Sequence, residues 1–497
     1  MGRWWLVLAV TTGTAAAQSS AAVRAAAIAV ESQKQGPGVS DAQRQESDRL
    51  EGQAQRETQT GRFSEALRDY AHALAVLRNA SWTPVLELAS SIEARVDHVM
   101  LDIGQPVTVT LASQYRVTSG AQLSLSVFLV PHSGGSGSTL AREICLARGA
   151  VIEAVRLPFS TRLRIPETAP GAYSLELRLA PLNGTAPDEM KEAFLKTAPL
   201  HIENLASEAD QLRGRLAGRG ASQNQAALAG AEYVLRFFER VDRGEESARR
   251  FVRYSFRQEF ETANVILDEL DRGRNPFQGR HGDFRRAYRS ALDGTLQPYR
   301  LFVPDAYDGS RPFPLVIALH GAGGDENDFF DSYQEAPLKR EVQRTGFLVV
   351  CPKGRGPSSG YRGAAERDVF DVWAEVRRDY RVDPDRVYIL GHSMGAFAAW
   401  RLAAQHPDLF AGLGLIAGGG EPEEMPKLRD VPQYVVHGVL DDTVPVSQSR
   451  AMAAAARKAG ADVVYIELPE AGHYNAALGQ FGPMLDFFRN VARRRPR

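Results

Sequence analysis

Val387-Tyr388-Ile389-Leu390-Gly391-His392-Ser393-Met394-Gly395-Ala396-Phe397-Ala398-Ala399-Trp400-Arg401-Leu402 is the stretch that decides the fold. Four apolar residues run into G-x-S-x-G, and a helical pattern starts at once. A continuous apolar run of this kind reads as a strand covered on both faces. Small residues must flank the serine, because the turn from strand to helix leaves no room for side chains. The helix N-terminus then lies beneath any negative charge that develops near the serine. The tripartite context, strand then turn then helix, gives the motif its weight.

Similar apolar runs bounded by Gly and Pro recur on either side, at 315–319, 347–350, 413–416, 434–436 and 463–466. Amphipathic segments separate them; within 364–380, Val369, Val372, Trp373, Val376 and Tyr380 form one stripe. Strand alternating with helix predicts an α/β domain, a doubly wound and mostly parallel sheet, over 295–497.

A serine hydroxyl is a poor nucleophile without a base, and the base needs a group that orients it. On this fold these follow in the chain order serine, acid, histidine, each just beyond a strand. After the run at 434–436 comes His437-Gly438-Val439-Leu440-Asp441-Asp442-Thr443-Val444-Pro445, and after 463–468 comes Pro469-Glu470-Ala471-Gly472-His473. The expected triad is Ser393, Asp441 and His473. Asp442 competes with Asp441, and the spacing from His437-Gly438 and to Val444-Pro445 favours Asp441. A tetrahedral oxyanion needs donors placed before the reaction. His320-Gly321-Ala322-Gly323-Gly324 follows the run at 315–319. The backbone N–H groups of Ala322 and Met394 are the expected pair, and His320 reads as a structural hydrogen-bonder.

These motifs resemble the α/β-hydrolase superfamily, in particular its esterase branch of polyhydroxybutyrate depolymerases, feruloyl esterases and single-domain relatives of prolyl oligopeptidase. The resemblance covers about two fifths of the chain, from roughly 296 onward. Besides the motifs above, it is carried by Val382-Asp383-Pro384-Asp385-Arg386-Val387-Tyr388. It implies Ser393 as nucleophile, Asp441 as acid and His473 as base. Ala396 stands where family members often have another Gly, which should only tighten packing. The implied activity is hydrolysis of carboxylic esters, small-molecule or polymer, through an acyl-enzyme and without metal or organic cofactor. The competing expectation is a prolyl oligopeptidase-like serine peptidase. Such enzymes usually carry a propeller, and the N-terminal half here lacks its repeats.

The remaining chain bounds the reading. Among 497 residues, 59 Lys and Arg balance 60 Asp and Glu, which leaves no electrostatic footprint for nucleic acid. Cys145 and Cys351 are the only cysteines, too few for a disulfide scaffold. Met1-Gly2-Arg3, the apolar run 4–10 and Ala15-Ala16-Ala17 read as a secretory signal over 1–17, so an exported, periplasmic or secreted protein without a membrane span is expected. A linker or a loosely held helix is expected over 18–60, a helical hairpin over 61–98, a β-sandwich over 99–203 and a helical connector over 204–294. No helical cap fits in 418–432. The mouth is therefore expected to be open, with Tyr361 and Tyr474 as rim aromatics. The oligomeric state stays open.

Overall fold

The computed structural model describes residues 15–132, 143–183, 185–219, 225–245, 255–331 and 337–493. The chain divides into two compact units, 1–214 with 235–259, and 215–234 with 260–497. The expected signal at 1–17 lies outside the described residues except for its last three positions, which open the first helix.

In the first unit, helices α1 (Ala15–Lys34), α2 (Asp41–Gln59) and α3 (Phe63–Leu77) pack around Val23, Val30, Leu50, Ala54, Leu67, Tyr70 and Leu77, with α4 (Pro84–Ser91) following. The segment 18–60, expected to be a linker or a loosely held helix, is therefore two packed helices. Its composition hid them: α2 is mostly Gln, Glu and Arg, and Leu50 and Ala54 are its buried apolar residues. A start signal was present, since Ser40 and Gln43 form a capping box at the N-terminus of α2.

Strands begin at 92, inside the segment expected to be a helical hairpin. β1 (Ile92–Val96), β3 (Pro106–Ser113) and β6 (Phe159–Arg164) form one sheet in the order β1-β3-β6. β2 (Met100–Leu101), β4 (Gln122–Pro131), β5 (Ile144–Glu153), β7 (Gly171–Pro181) and β8 (Leu195–Ile202) form a second, ordered β2-β8-β7-β4-β5. Val107, Val109 and Leu111 of the first sheet share one core with Leu125, Val127, Leu175 and Leu177 of the second. Alternate residues thus point inward from both sheets, the pattern of a sandwich. Helices α5 (Ala206–Ala217), α6 (Gln225–Asp242) and α7 (Phe256–Asp271) contribute residues to both units.

The second unit is built on eight strands: β9 (Gly282–Arg289), β10 (Leu296–Val303), β11 (Phe313–Leu319), β12 (Leu348–Pro352), β13 (Val382–His392), β14 (Gly412–Ile416), β15 (Gln433–Gly438) and β16 (Val463–Leu468). Their order is β9-β10-β12-β11-β13-β14-β15-β16. Pairing is antiparallel from β9 to β12 and parallel from there to β16. Helices α8 (Asp328–Asp331), α9 (Pro337–Thr345), α10 (Ala364–Asp379), α11 (Met394–Gln405), α12 (Val446–Lys458) and α13 (Phe481–Arg489) complete the unit. Along β11, Leu315, Ile317 and Leu319 join a core with Val369 of α10, Trp400 of α11 and Met452 of α12. Val316 and Ala318 join a second core with Val342 of α9 and Leu485 of α13. Burial on both faces is why these strands read as unbroken apolar runs.

The connector expected to be helical through 294 ends earlier, because β9 occupies 282–289. Its sequence, Gly282-Asp283-Phe284-Arg285-Arg286-Ala287-Tyr288-Arg289, looks like an exposed charged segment. Arg285 and Arg286 are nonetheless buried, the first paired with Glu326 and the second with Asp379 at 2.6 Å. Arg286 also lies over the Phe277 ring, 3.8 Å from its centroid. Paired arginines can fill core positions that an apolar pattern search never counts.

Candidate active site

Ser393 sits between β13 and α11 with φ 53° and ψ −120°. Such a backbone is costly for any residue with a Cβ and persists only where the surroundings enforce it. Here the surroundings do. A Cβ on Gly391 would lie 2.2 Å from the Gly395 carbonyl oxygen, and one on Gly395 would lie 1.9 Å from that of Leu319. Both glycines of the motif are therefore required by close backbone approach. The Ser393 N–H donates to the Ile416 carbonyl at 2.9 Å, tying the turn to the end of β14. Ala396 is accommodated by a glycine packed against it: a Cβ on Gly418 would meet the Ala396 methyl at 2.4 Å.

The residues singled out from sequence come together. His473 follows β16, and its Nε2 is 2.9 Å from Ser393 Oγ. Its Nδ1 is 2.7 Å from Asp441 Oδ2, beyond the end of β15. Both side chains are buried. Asp441 Oδ1 accepts the N–H groups of Thr443 at 2.9 Å and Val444 at 2.8 Å. Burial pushes the Asp441 carboxyl up, but these two N–H groups and His473 outweigh it and hold the carboxyl below the ordinary aspartate value. Asp442 is exposed, and among the described residues its carboxylate takes only the Thr443 hydroxyl, at 3.2 Å. Position alone therefore separates the two adjacent aspartates.

The loop expected to hold an oxyanion donor lies against the serine. A Cβ on Gly321 would be 3.4 Å from Ser393 Cβ and 3.2 Å from His392 Nδ1. Neither Ala322 N–H nor Met394 N–H donates to an acceptor among the described residues. Both ring nitrogens of His320 face carbonyl oxygens, Gly321 at 2.8 Å and Lys353 at 2.8 Å, so this histidine braces the loop. Tyr361 corrects the expectation of a rim aromatic. It is fully buried, and its hydroxyl accepts the His320 N–H at 3.0 Å. Gly354 makes room for it, since a Cβ there would be 2.6 Å from the Tyr361 ring. Tyr474, the other expected rim residue, is 71% exposed, with its ring edge-on to His473 at 5.2 Å between centroids.

Two histidines beyond the expected set belong to this centre. His392 is buried beside the serine, and its Nε2 is 3.0 Å from the His473 carbonyl oxygen. Burial pushes its pKa down to about 4, so the ring is neutral near pH 7. His437 Nε2 lies 2.9 Å from the Val444 carbonyl and 3.2 Å from Asp441 Oδ2. Sequence reading used His437 only as a landmark for the aspartate. Among the described residues no group of three or more His, Cys, Asp or Glu is arranged to hold a metal ion. Cys145 and Cys351 are both free thiols.

Residues 314–469 match the family described as alpha/beta hydrolase fold. This segment is an alpha/beta-hydrolase fold. The match takes in Ser393 and Asp441 and ends four residues before His473. The hydrolase-fold segment is similar to NocK of Nocardia uniformis subsp. tsuyamanensis, a protein named as an esterase, at 31% identity over 170 residues, 31% of this chain and 47% of the relative. It is similar to the bifunctional acetylxylan esterase/xylanase XynS20E of Neocallimastix patriciarum, at 29% identity over 140 residues, 27% of this chain and 20% of that one. It is also similar to poly(3-hydroxyalkanoate) depolymerase C of Paucimonas lemoignei, at 30% identity over 139 residues, 25% of this chain and 32% of that one. The chain spans less than half the length of each of these relatives.

Proposed function

We propose that the protein is a serine hydrolase that cleaves carboxylic esters, exported from the cytoplasm, with Ser393, His473 and Asp441 as its triad. The hydrogen-bonded series from Ser393 Oγ through His473 to Asp441 Oδ2, at 2.9 and 2.7 Å, carries this reading. His473 Nε2 takes the proton as Ser393 Oγ attacks the ester carbonyl, and Asp441 stabilises the imidazolium. The carbonyl oxygen, now negative, is received by the N–H groups of Ala322 and Met394. His473 then protonates the leaving alcohol, and water resolves the acyl-enzyme by the same steps in reverse. The ester-acting names among the relatives support the choice of ester over peptide. Export rests on the N-terminal pattern; among the described residues no helix is long and apolar enough to cross a membrane.

Labelling with a fluorophosphonate probe, followed by peptide mapping, tests the reading directly. Label on Ser393, lost in Ser393→Ala together with hydrolysis of p-nitrophenyl acetate, is the expected outcome. Label elsewhere, or faster cleavage of peptide amides than of esters, overturns it.

A further inference from the structure

We infer that Tyr474 and Leu440 form an apolar wall for the alcohol portion of the substrate, making this site selective for esters of neutral alkyl or aryl alcohols. The inference rests on the ester-hydrolase reading above and specifies which side of the ester the enzyme recognises.

The chemistry sets the direction. When Ser393 Oγ bonds to the acyl carbon, the bond from that carbon to the alkoxy oxygen breaks. The proton that His473 Nε2 took from Ser393 passes to this oxygen, and the neutral alcohol leaves. The alkoxy oxygen must therefore lie within hydrogen-bond reach of His473 Nε2, and the alcohol portion extends along the rim beside His473. The acyl portion stays with Ser393.

The loops that carry Asp441 and His473 each expose a large apolar side chain. Tyr474 follows His473 directly and is 71% exposed, and Leu440 precedes Asp441 directly and is 64% exposed. The two loops that carry them are held together: Leu440 N–H donates to the Ala471 carbonyl at 2.9 Å, and Val439 N–H donates to that of Leu468 at 2.9 Å. Gly438 and Ala471 approach so closely that a Cβ on Gly438 would be 2.3 Å from the Ala471 oxygen. The loop that carries Leu440 is thus tied by backbone contacts to the segment that leads into His473 and Tyr474. The Tyr474 ring keeps its position against two imidazoles, His473 at 5.2 Å and His392 at 5.9 Å. Exposed apolar side chains on the loops of the reacting groups gain by covering an apolar ligand, since each square ångström removed from water contributes. The exposed carboxylates of Asp442 and Glu470 lie in the same two loops and disfavour an anionic alcohol.

The test uses the full chain and two ester series read as kcat/KM in a pH-stat. Methyl, butyl and hexyl acetate share one acyl-enzyme, so differences among them report only the alcohol. Methyl acetate, butyrate and hexanoate vary the acyl side. For the wild type the hexyl-to-methyl ratio in the acetate series should be at least about tenfold, and hexanol should inhibit competitively where methanol does not. In Tyr474→Ser with Leu440→Ser that ratio should fall about tenfold, while the ratio along the acyl series holds within about twofold. A flat wild-type acetate series, or a double variant that loses acyl selectivity instead, overturns the inference while the ester-hydrolase reading stands. No hydrolysis of any ester by wild type, with no fluorophosphonate label on Ser393, overturns both.

Discussion

His437 Nε2 lies 3.2 Å from Asp441 Oδ2, the same oxygen that His473 Nδ1 approaches at 2.7 Å. Nε2 of His437 also faces the Val444 carbonyl at 2.9 Å, so it carries the proton and donates. Its Nδ1 is buried with no partner among the described residues. Leaving a buried acceptor unpaired costs about 1–3 kcal/mol, a cost the fold bears while the other nitrogen holds Asp441 and its loop in place. His437→Ala should lower kcat by roughly 10- to 100-fold with KM nearly unchanged, because a positioning contact is lost and no substrate contact is. His437→Gln, which can still donate, should recover part of kcat. Steady-state kinetics on both variants checks this; a loss confined to KM would contradict it.

Asp441→Asn should cut turnover by about 10³- to 10⁴-fold while the protein stays folded, since an amide leaves His473 in the wrong tautomer. Asp442→Asn should cost less than about threefold, because its exposed carboxylate bonds only the neighbouring Thr443 hydroxyl. Measuring both side by side checks the assignment, and a reversed ranking would refute it.

Gly395→Ala should destroy the serine turn. The added methyl would sit 1.9 Å from the Leu319 carbonyl oxygen, and backbone on both sides has nowhere to move. Loss of fluorophosphonate labelling together with a fall in Tm of the hydrolase-fold unit is the expected result. Ala396→Gly removes a buried methyl from the adjacent helix position and should cost only about 1 kcal/mol with labelling intact.

The depressed pKa of His392 predicts acid lability. In the unfolded chain this histidine takes up its proton near pH 6.5, whereas in the folded protein it does so only near pH 4. The unfolded state binds more protons between those values, so the contribution is fully present above about pH 6.5 and is lost as pH falls toward 4. The full effect is on the order of 3 kcal/mol. Urea melts from pH 7.5 to 4 should show this decline for wild type and a shallower one for His392→Gln, which keeps a donor toward the His473 carbonyl without titrating.

Much of the hydrolase-fold unit was legible because its physics is local. The strands at 313–319 and 348–352, and the second half of that at 382–392, are buried on both faces, so each reads as a block of apolar residues. The turn at Ser393 is legible because only glycine fits where Leu319 and Gly395 carbonyls approach. The β9 strand and helices α1 and α2 were not legible. In β9 the buried positions are arginines whose partners, Glu326 and Asp379, lie far along the chain. In α1 and α2 the buried apolar residues are few, Val23, Val30, Leu50 and Ala54, and so sparse a stripe gives a weak periodic signal.

The sequence by itself determined the alternation of strand and helix after 295, the strand–turn–helix setting of Ser393 and the order of serine, aspartate and histidine. These follow from side-chain periodicity and from what a tight turn can accommodate, both properties of neighbouring residues. Only the tertiary structure decided which aspartate faces His473, that Tyr361 is buried under the His320 loop, and that His437 and His392 belong to the same centre. Each of these depends on which backbone N–H or carbonyl from a distant strand end meets a side chain. Such meetings are set by the register of β15 against β16 and of β13 against β14, and hydrogen bonds act over about 3 Å. A one-residue difference in a loop, invisible to periodicity, is enough to exchange Asp441 for Asp442.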